Sequence, residues 1–244
     1  MSITPVRKAM VQELLKNGTS RSPLALQKAQ RVLDRLDRNG PRDVHVYNAL
    51  LEIALFRKEV GPREAFLAEM EASGVTPDGH TLALLLETVT PEEAAQGAVL
   101  AGLVKQFHTK YDVKLTTRPA LALLRRYAEA GRADEALRVF QGLGALAAKP
   151  EAWEQLVLAH SRARRVREAI ALLQSMNDSA GLRPHVGLFN QALAAAAALR
   201  DGSAEQVLQL MRRLRVDPTL ETLEALGGAE AMSAGGPAAV QRRV

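Results

Sequence analysis

A single internal period governs what this chain can fold into. Segment 46–78 reads VYNALLEIALFRKEVGPREAFLAEMEASGVTPD, with an apolar-periodic stretch from Val46 to Phe56, a break at Gly61-Pro62, a second stretch through Met70 and a stop at Gly74 before Pro77-Asp78. Proline suits the first turn of a helix, where no amide donor is needed. Glycine suits the residue after a helix end, because it adopts the left-handed conformation without a Cβ clash. The segment therefore predicts two helices joined by a turn, and the unit recurs. Tyr47, Leu82, Pro119, Trp153, Phe189 and Leu223 take one equivalent place near the start of each first helix, at separations of 35, 37, 34, 36 and 34 residues. Second helices place a small residue seven before a large apolar one: Ala29 and Leu36, Ala136 and Leu143, Ala169 and Met176, Ala204 and Met211. Seven residues are two helical turns, so each pair shares a face, and the alanine lets a neighbouring helix approach closely.

One such pair cannot bury its apolar stripe alone, whereas a stack of pairs builds a continuous core. The period, the Tyr47-Asn48 and Phe189-Asn190 pairs, and the endings GVTPD and GLRP closely resemble pentatricopeptide repeat proteins. The tetratricopeptide repeat also uses helix pairs, at a period of about 34, but its Trp, Gly and Pro pattern differs. The resemblance extends over residues 5–226 and implies an all-α, right-handed α-solenoid of six helix-turn-helix repeats plus a terminal helix, thirteen helices in all. First helices would line its inner surface. Within 79–115 the second helix is expected from Pro91 to Lys110. Residues 1–226 are thus read as the solenoid. Residues 227–244, GGAEAMSAGGPAAVQRRV, are read by composition as a flexible tail.

Composition removes most chemistry. The chain has no cysteine, which excludes disulfides, thiolate zinc sites, iron–sulfur clusters and thiol nucleophiles. No stretch approaches the ~20 apolar residues of a membrane-spanning helix. The five histidines show no HExxH spacing, and His45 and His80 lie 35 apart because they occupy equivalent places in adjacent repeats. Glu92 and Glu93 follow Pro91 at a helix start, where acids favourably meet the helix dipole. Gly142-Leu143-Gly144 lacks the Lys-Ser/Thr of a phosphate-binding loop. The reading is of a protein without catalytic residues, cofactor, metal or small-molecule substrate.

The resemblance implies RNA as ligand, one base per repeat read by two side chains. One follows the first-helix aromatic and the other ends the same repeat. Asn48 with Asp78 makes a well-formed pair that would imply uridine, and Asn190 with Thr219 a weaker one. The equivalents elsewhere are Ala83, Ala120, Glu154 and Glu224, where alanine offers no hydrogen bond and a carboxylate repels phosphate. The base-packing places hold His45, His80, Thr117, Glu151 and Gly187 instead of an aliphatic residue. Asn48 remains open to base contact on one side and, on the other, to helix capping or an inter-repeat hydrogen bond. With separated readers, sequence-specific recognition of a single strand is disfavoured.

The net charge of +5 is uneven: residues 1–51 carry +5, 52–154 carry −3 and 155–244 carry +3. Arg162, Arg164, Arg165 and Arg167 surround one turn, Arg212, Arg213 and Arg215 end a second helix, and Arg242 and Arg243 close the tail. Turns form the rims of a solenoid, where arginines suit RNA backbone or an acidic partner and position without reading sequence. The expectation is a structural subunit of a mitochondrial ribonucleoprotein, foremost the mitochondrial ribosome, binding ribosomal or other structured organellar RNA and neighbouring protein subunits. The alternatives are a freestanding organellar RNA processing or stability factor and a protein-only scaffold of a respiratory or other organellar complex. Residence in the mitochondrial matrix, rather than the chloroplast, rests on the resemblance. It is helped by the acid-poor start, where Glu13 faces six basic residues before Leu33. That start reads either as a targeting segment or as the first helical pair.

Overall fold

In the computed structural model the described residues are 4–59, 61–144, 149–199 and 201–234. Among them are fourteen helices and no strand. The first four are α1 (Pro5–Gly18), α2 (Pro23–Arg38), α3 (Val44–Arg57) and α4 (Arg63–Ala72). Then follow α5 (Gly79–Glu87), α6 (Pro91–Gln96), α7 (Ala98–Tyr111), α8 (Thr117–Glu129) and α9 (Ala133–Gln141). The last are α10 (Pro150–Arg162), α11 (Val166–Asp178), α12 (Val186–Leu199), α13 (Ser203–Arg213) and α14 (Leu220–Ala234).

The extra helix is a correction with a clear cause. The expected run from Pro91 to Lys110 breaks at Gly97, whose φ of +73° is left-handed. A Cβ there would meet Arg132 Nη2 at 2.9 Å, while Arg132 Nη1 donates to the Ala95 carbonyl at 2.9 Å. At the other end, α14 continues through the expected start of the tail to Ala234; the rest of the tail, with Arg242 and Arg243, lies outside the described residues.

The helices cluster into two compact units. One holds α1–α5, α7 and the start of α8; the other holds α6, the remainder of α8, and α9 to α14. In the first, Met10, Leu14, Ala29, Val32, Leu36 and Val46 share one core. The Ile53 side chain of α3 packs against Gly18 of α1, where a Cβ would collide with Ile53 Cδ1. Arg57 seals the same corner, donating from Nε to the Gly18 carbonyl at 3.1 Å and from Nη2 to the Ser20 carbonyl at 3.3 Å. In the second unit, Val157, Leu173, Phe189, Leu193 and Val207 centre the core. Of the small residues on second helices, Ala29, Ala136 and Ala169 are buried and Ala204 half-buried, as the seven-residue spacing requires. Truncating a core side chain such as Leu36 to Ala removes about 2–5 kcal/mol of stability.

Candidate nucleic-acid interface

The start of each first helix sets the geometry of the candidate interface. Tyr47 N donates to the Asp43 carbonyl, Leu82 N to Asp78 and Leu223 N to Thr219, so these three residues are the fourth of their helices. Trp153 and Phe189 are likewise fourth in α10 and α12. In α8 the residue making this bond is Ala120, to the Thr116 carbonyl, and not Pro119. The register of the fourth repeat therefore shifts by one. Its reading position is Leu121 rather than Ala120, and its base-packing position is Arg118 rather than Thr117. Sequence spacing misplaced it because the preceding repeat is longer, with α6 and α7 in place of one second helix, and Pro119 stood where an apolar residue was sought.

The aromatic fourth residues pack inside their own units. Tyr47 meets Phe66 edge-on at 6.0 Å, and its hydroxyl shares a 2.8 Å hydrogen bond with the Ser73 hydroxyl. Trp153 meets Phe140 edge-on at 4.9 Å.

The residue after each of these points across to the next repeat. Asn48 is only 2% exposed, and Nδ2 donates to Asp78 Oδ1 at 3.1 Å while Oδ1 accepts from the Thr81 hydroxyl at 2.7 Å. Asp78 is the N-cap of α5, where its carboxylate accepts from Thr81 N at 2.8 Å and its own N–H donates to the Thr81 hydroxyl at 3.1 Å. Burial pushes the Asp78 carboxyl up. The hydrogen bonds from Thr81 and Asn48, with His80 nearby, outweigh this and hold it below its ordinary value.

The same arrangement returns 142 residues later, between α12 and α14. The Thr222 hydroxyl donates to Asn190 Oδ1 at 2.7 Å, and Asn190 Nδ2 reaches Glu221 Oε2 at 3.3 Å and Thr219 Oγ1 at 3.5 Å. In the fifth repeat the equivalent pair is Glu154 and His185, with 3.7 Å between Oε1 and Nε2. Sequence reasoning missed this pair because it sought amides and did not pair Glu154 with the residue ending its repeat. Of the other reading positions, Ala83 is buried and Glu224 exposed. The structure thus places Asn48 with Asp78, and Asn190 with Thr219, as expected from spacing, and shows both amides bonded across a repeat seam. His80 lies half-buried near Glu52, at 4.0 Å, with its pKa lowered by burial and then by Arg118.

The rim arginines divide. Arg165 grips Asp134 through two bonds, Nη1 to Oδ1 at 2.5 Å and Nη2 to Oδ2 at 2.8 Å, a clasp between the repeats of α9 and α11. That hydrogen bond holds the Asp134 carboxyl below its usual range. Arg164, Arg165 and Arg167 line a cleft of about 220 Å³ with Glu168, Leu199 and Asp201. Arg162 and Arg164 are exposed and make no ion pair among the described residues. Arg164 sits at φ +58°, a left-handed turn that favours glycine. At the end of α13, Arg212 lies 3.8 Å from Glu205 and Arg213 lies 3.6 Å from Asp178. Arg215, at φ +53°, accepts from Arg183 Nη2 through its carbonyl at 2.7 Å.

The cluster's buried neighbour is His160. It is 4% exposed and both ring nitrogens lack a hydrogen-bond partner among the described residues. Burial, then Arg165, lowers its pKa, so the ring is neutral at pH 7.

Comparison with known proteins agrees with this fold. A sequence model of the PPR repeat matches residues 121–143. The fold matches the crystal structure of the pentatricopeptide repeat protein PPR10, which was solved in complex with an 18-nt PSAJ RNA element. The TM-score is 0.62 at 13% identity, over 93% of this chain. This chain spans about a third of that protein's length, 35%. No curated protein matches the sequence. The chain carries a pentatricopeptide repeat and has the α-solenoid fold of a pentatricopeptide repeat protein.

Proposed function

We propose that the chain binds RNA through its phosphate backbone, as an architectural element rather than a reader of sequence. The observation that carries this is the state of the reading positions. Asn48 and Asn190 are buried with amide oxygen and nitrogen both engaged across a seam, and the other positions hold Ala83, Leu121, Glu154 and Glu224. RNA as the ligand class is supported by the likeness to PPR10, whose structure contains RNA. Exposed arginines such as Arg162 and Arg164 supply charge that positions without discriminating bases.

The finer form of the proposal is a subunit of a mitochondrial ribonucleoprotein, foremost the ribosome, in contact with structured RNA and neighbouring proteins. Its support is the basic start of the chain and the absence of an assembled base-reading row. Sedimentation of the endogenous protein tests it. Co-migration with large ribosomal particles in high salt, lost on nuclease digestion, is the expected outcome. Migration with a respiratory complex, unchanged by nuclease, would instead establish the protein-only scaffold.

A further inference from the structure

A second set of cations with no partner lies away from the arginine clusters. Helix α2 presents Lys28, Arg31, Arg35 and Arg38, all exposed, and none makes an ion pair or a side-chain hydrogen bond among the described residues. At 100° per residue these four fall within an arc of about 80°, a stripe about 15 Å long with neighbours ~5–6 Å apart. Of the acids on the same helix, Asp37 is held by Arg42 through two bonds of 3.0 and 2.9 Å, and Asp34, at the edge of the stripe, accepts from Gln30 at 3.0 Å. The opposite side of α2 is apolar and already covered, since Ala29, Val32 and Leu36 lie in the core.

We infer that this stripe is a docking surface for the phosphate backbone of double-stranded RNA, distinct from the first-helix positions that would face bases. The inference rests on the RNA-binding reading above and assigns it a place. Three observations select the occupant. A membrane surface would need a continuous apolar face to insert; Ala29, Val32 and Leu36 of α2 are buried within its unit, and its exposed large apolar residues are Leu24 and Leu26, confined to its first turn. A protein interface is built around an apolar core, and no apolar side chain interrupts the exposed stripe from Lys28 to Arg38. Each strand of a B-DNA duplex carries one charge per about 3.4 Å of axis and an A-form RNA strand is at least as dense, so 15 Å of stripe faces about four phosphates or more, at least one for each cation. Three of the four cations are arginines, whose planar fork matches phosphate oxygens two at a time.

The test uses the full chain and three variants. The first carries Lys28→Gln, Arg31→Gln, Arg35→Gln and Arg38→Gln; glutamine is as good a helix former, and circular dichroism confirms retained helicity. The second removes the same charge elsewhere, at the exposed Lys8, Lys16, Lys105 and Lys114, again as glutamine. The third keeps the charge, as Arg31→Lys, Arg35→Lys and Arg38→Lys. Affinity for a 20-base-pair RNA duplex of arbitrary sequence is measured across a salt series. The slope of log affinity against log salt should shrink by about 3.6 in the first variant, at about 0.9 per lost phosphate contact. It should hold in the third and change by less than one in the second. Equal losses in the first two variants would overturn the stripe and leave diffuse charge as the cause. Unchanged duplex binding by the first variant would overturn the stripe while leaving RNA binding standing. No binding of wild type to duplex or single strand would overturn the RNA reading itself, and the stripe with it. Poly-glutamate that displaces the duplex at lower charge concentration than competing RNA would make this a carboxylate surface and overturn the assignment.

Discussion

The seam at Asn48 and the seam at Asn190 are the same device built with different acids. In both, a threonine in the first turn of the next first helix donates to the amide oxygen at 2.7 Å, which fixes which end of the amide is oxygen. In both, the amide nitrogen then faces the residue that ends the repeat. At Asn48 that residue is Asp78, a half-buried carboxylate also capping α5; at Asn190 it is Thr219, at 3.5 Å, with Glu221 beside it. The threonine is the invariant part of the pair, and the terminal residue the variable one. A pair of residues at reading positions therefore has a structural task before any ligand arrives: it zips one repeat to the next.

Breaking the seams should rank them. Asn48→Ala takes one partner each from the Thr81 hydroxyl and the Asp78 carboxylate, which keep each other, and should cost about 2 kcal/mol, in the range for hydrogen bonds to a charged group. Asn190→Ala loses longer contacts on the nitrogen side and should cost about 1 kcal/mol. Urea unfolding measures both, and a larger loss at Asn190 would contradict the ranking.

Acidification sharpens the same contrast, because only the first seam depends on a depressed carboxylate at the repeat end. Asp78 is depressed in the folded state, so its contribution is present above the unfolded value of about 3.9 and is lost as pH falls through the folded one. Asp78→Asn should flatten the fall in stability below about pH 4. A second, earlier limb comes from His160, whose folded pKa is also lowered. The unfolded chain takes up a proton below about pH 6.5 while the buried ring, facing Arg165, Glu168 and Asp134, does not. Stability is therefore full above that pH and falls below it. His160→Phe should flatten the decline between pH 6.5 and 5, read as urea midpoints, and an unaltered slope would contradict the burial argument.

Much of this was legible in the sequence. The helix pairs follow from the apolar period, and the equivalence of Tyr47, Leu82, Trp153, Phe189 and Leu223 survives in the helix starts. What escaped depended on contacts made by stacking. Thr81 and Thr222 look like ordinary first-turn residues until the preceding repeat brings an amide to them, and Arg165 looks like part of a free basic cluster until Asp134 arrives from 31 positions earlier. Two misreadings were local: Gly97 divides α6 from α7, and the fourth repeat reads from Leu121. The stripe on α2 escaped for a different reason, since alternating acids in QKAQRVLDRLDR hide that the cations share one face.

The smallest effect concerns a turn rather than a seam. Gly131 and Arg164 occupy the same left-handed position in consecutive repeats, at φ +65° and +58°. A non-glycine residue there costs about 1 kcal/mol, so Arg164→Gly should raise stability by about 0.5–1 kcal/mol while weakening RNA binding at low salt. A gain in stability with unchanged binding would remove Arg164 from the interface.

The central claim is that the chain holds RNA without reading it. Fluorescence anisotropy with 20-nucleotide uridine and adenosine oligonucleotides, at two salt concentrations, tests it most directly. The account predicts affinities equal within about threefold, falling together with salt at about −0.7 per phosphate contacted on single strands. A hundredfold preference for uridine, abolished in an Asn48→Ala protein that circular dichroism shows to be folded, would contradict it and make the Asn48 seam a reader.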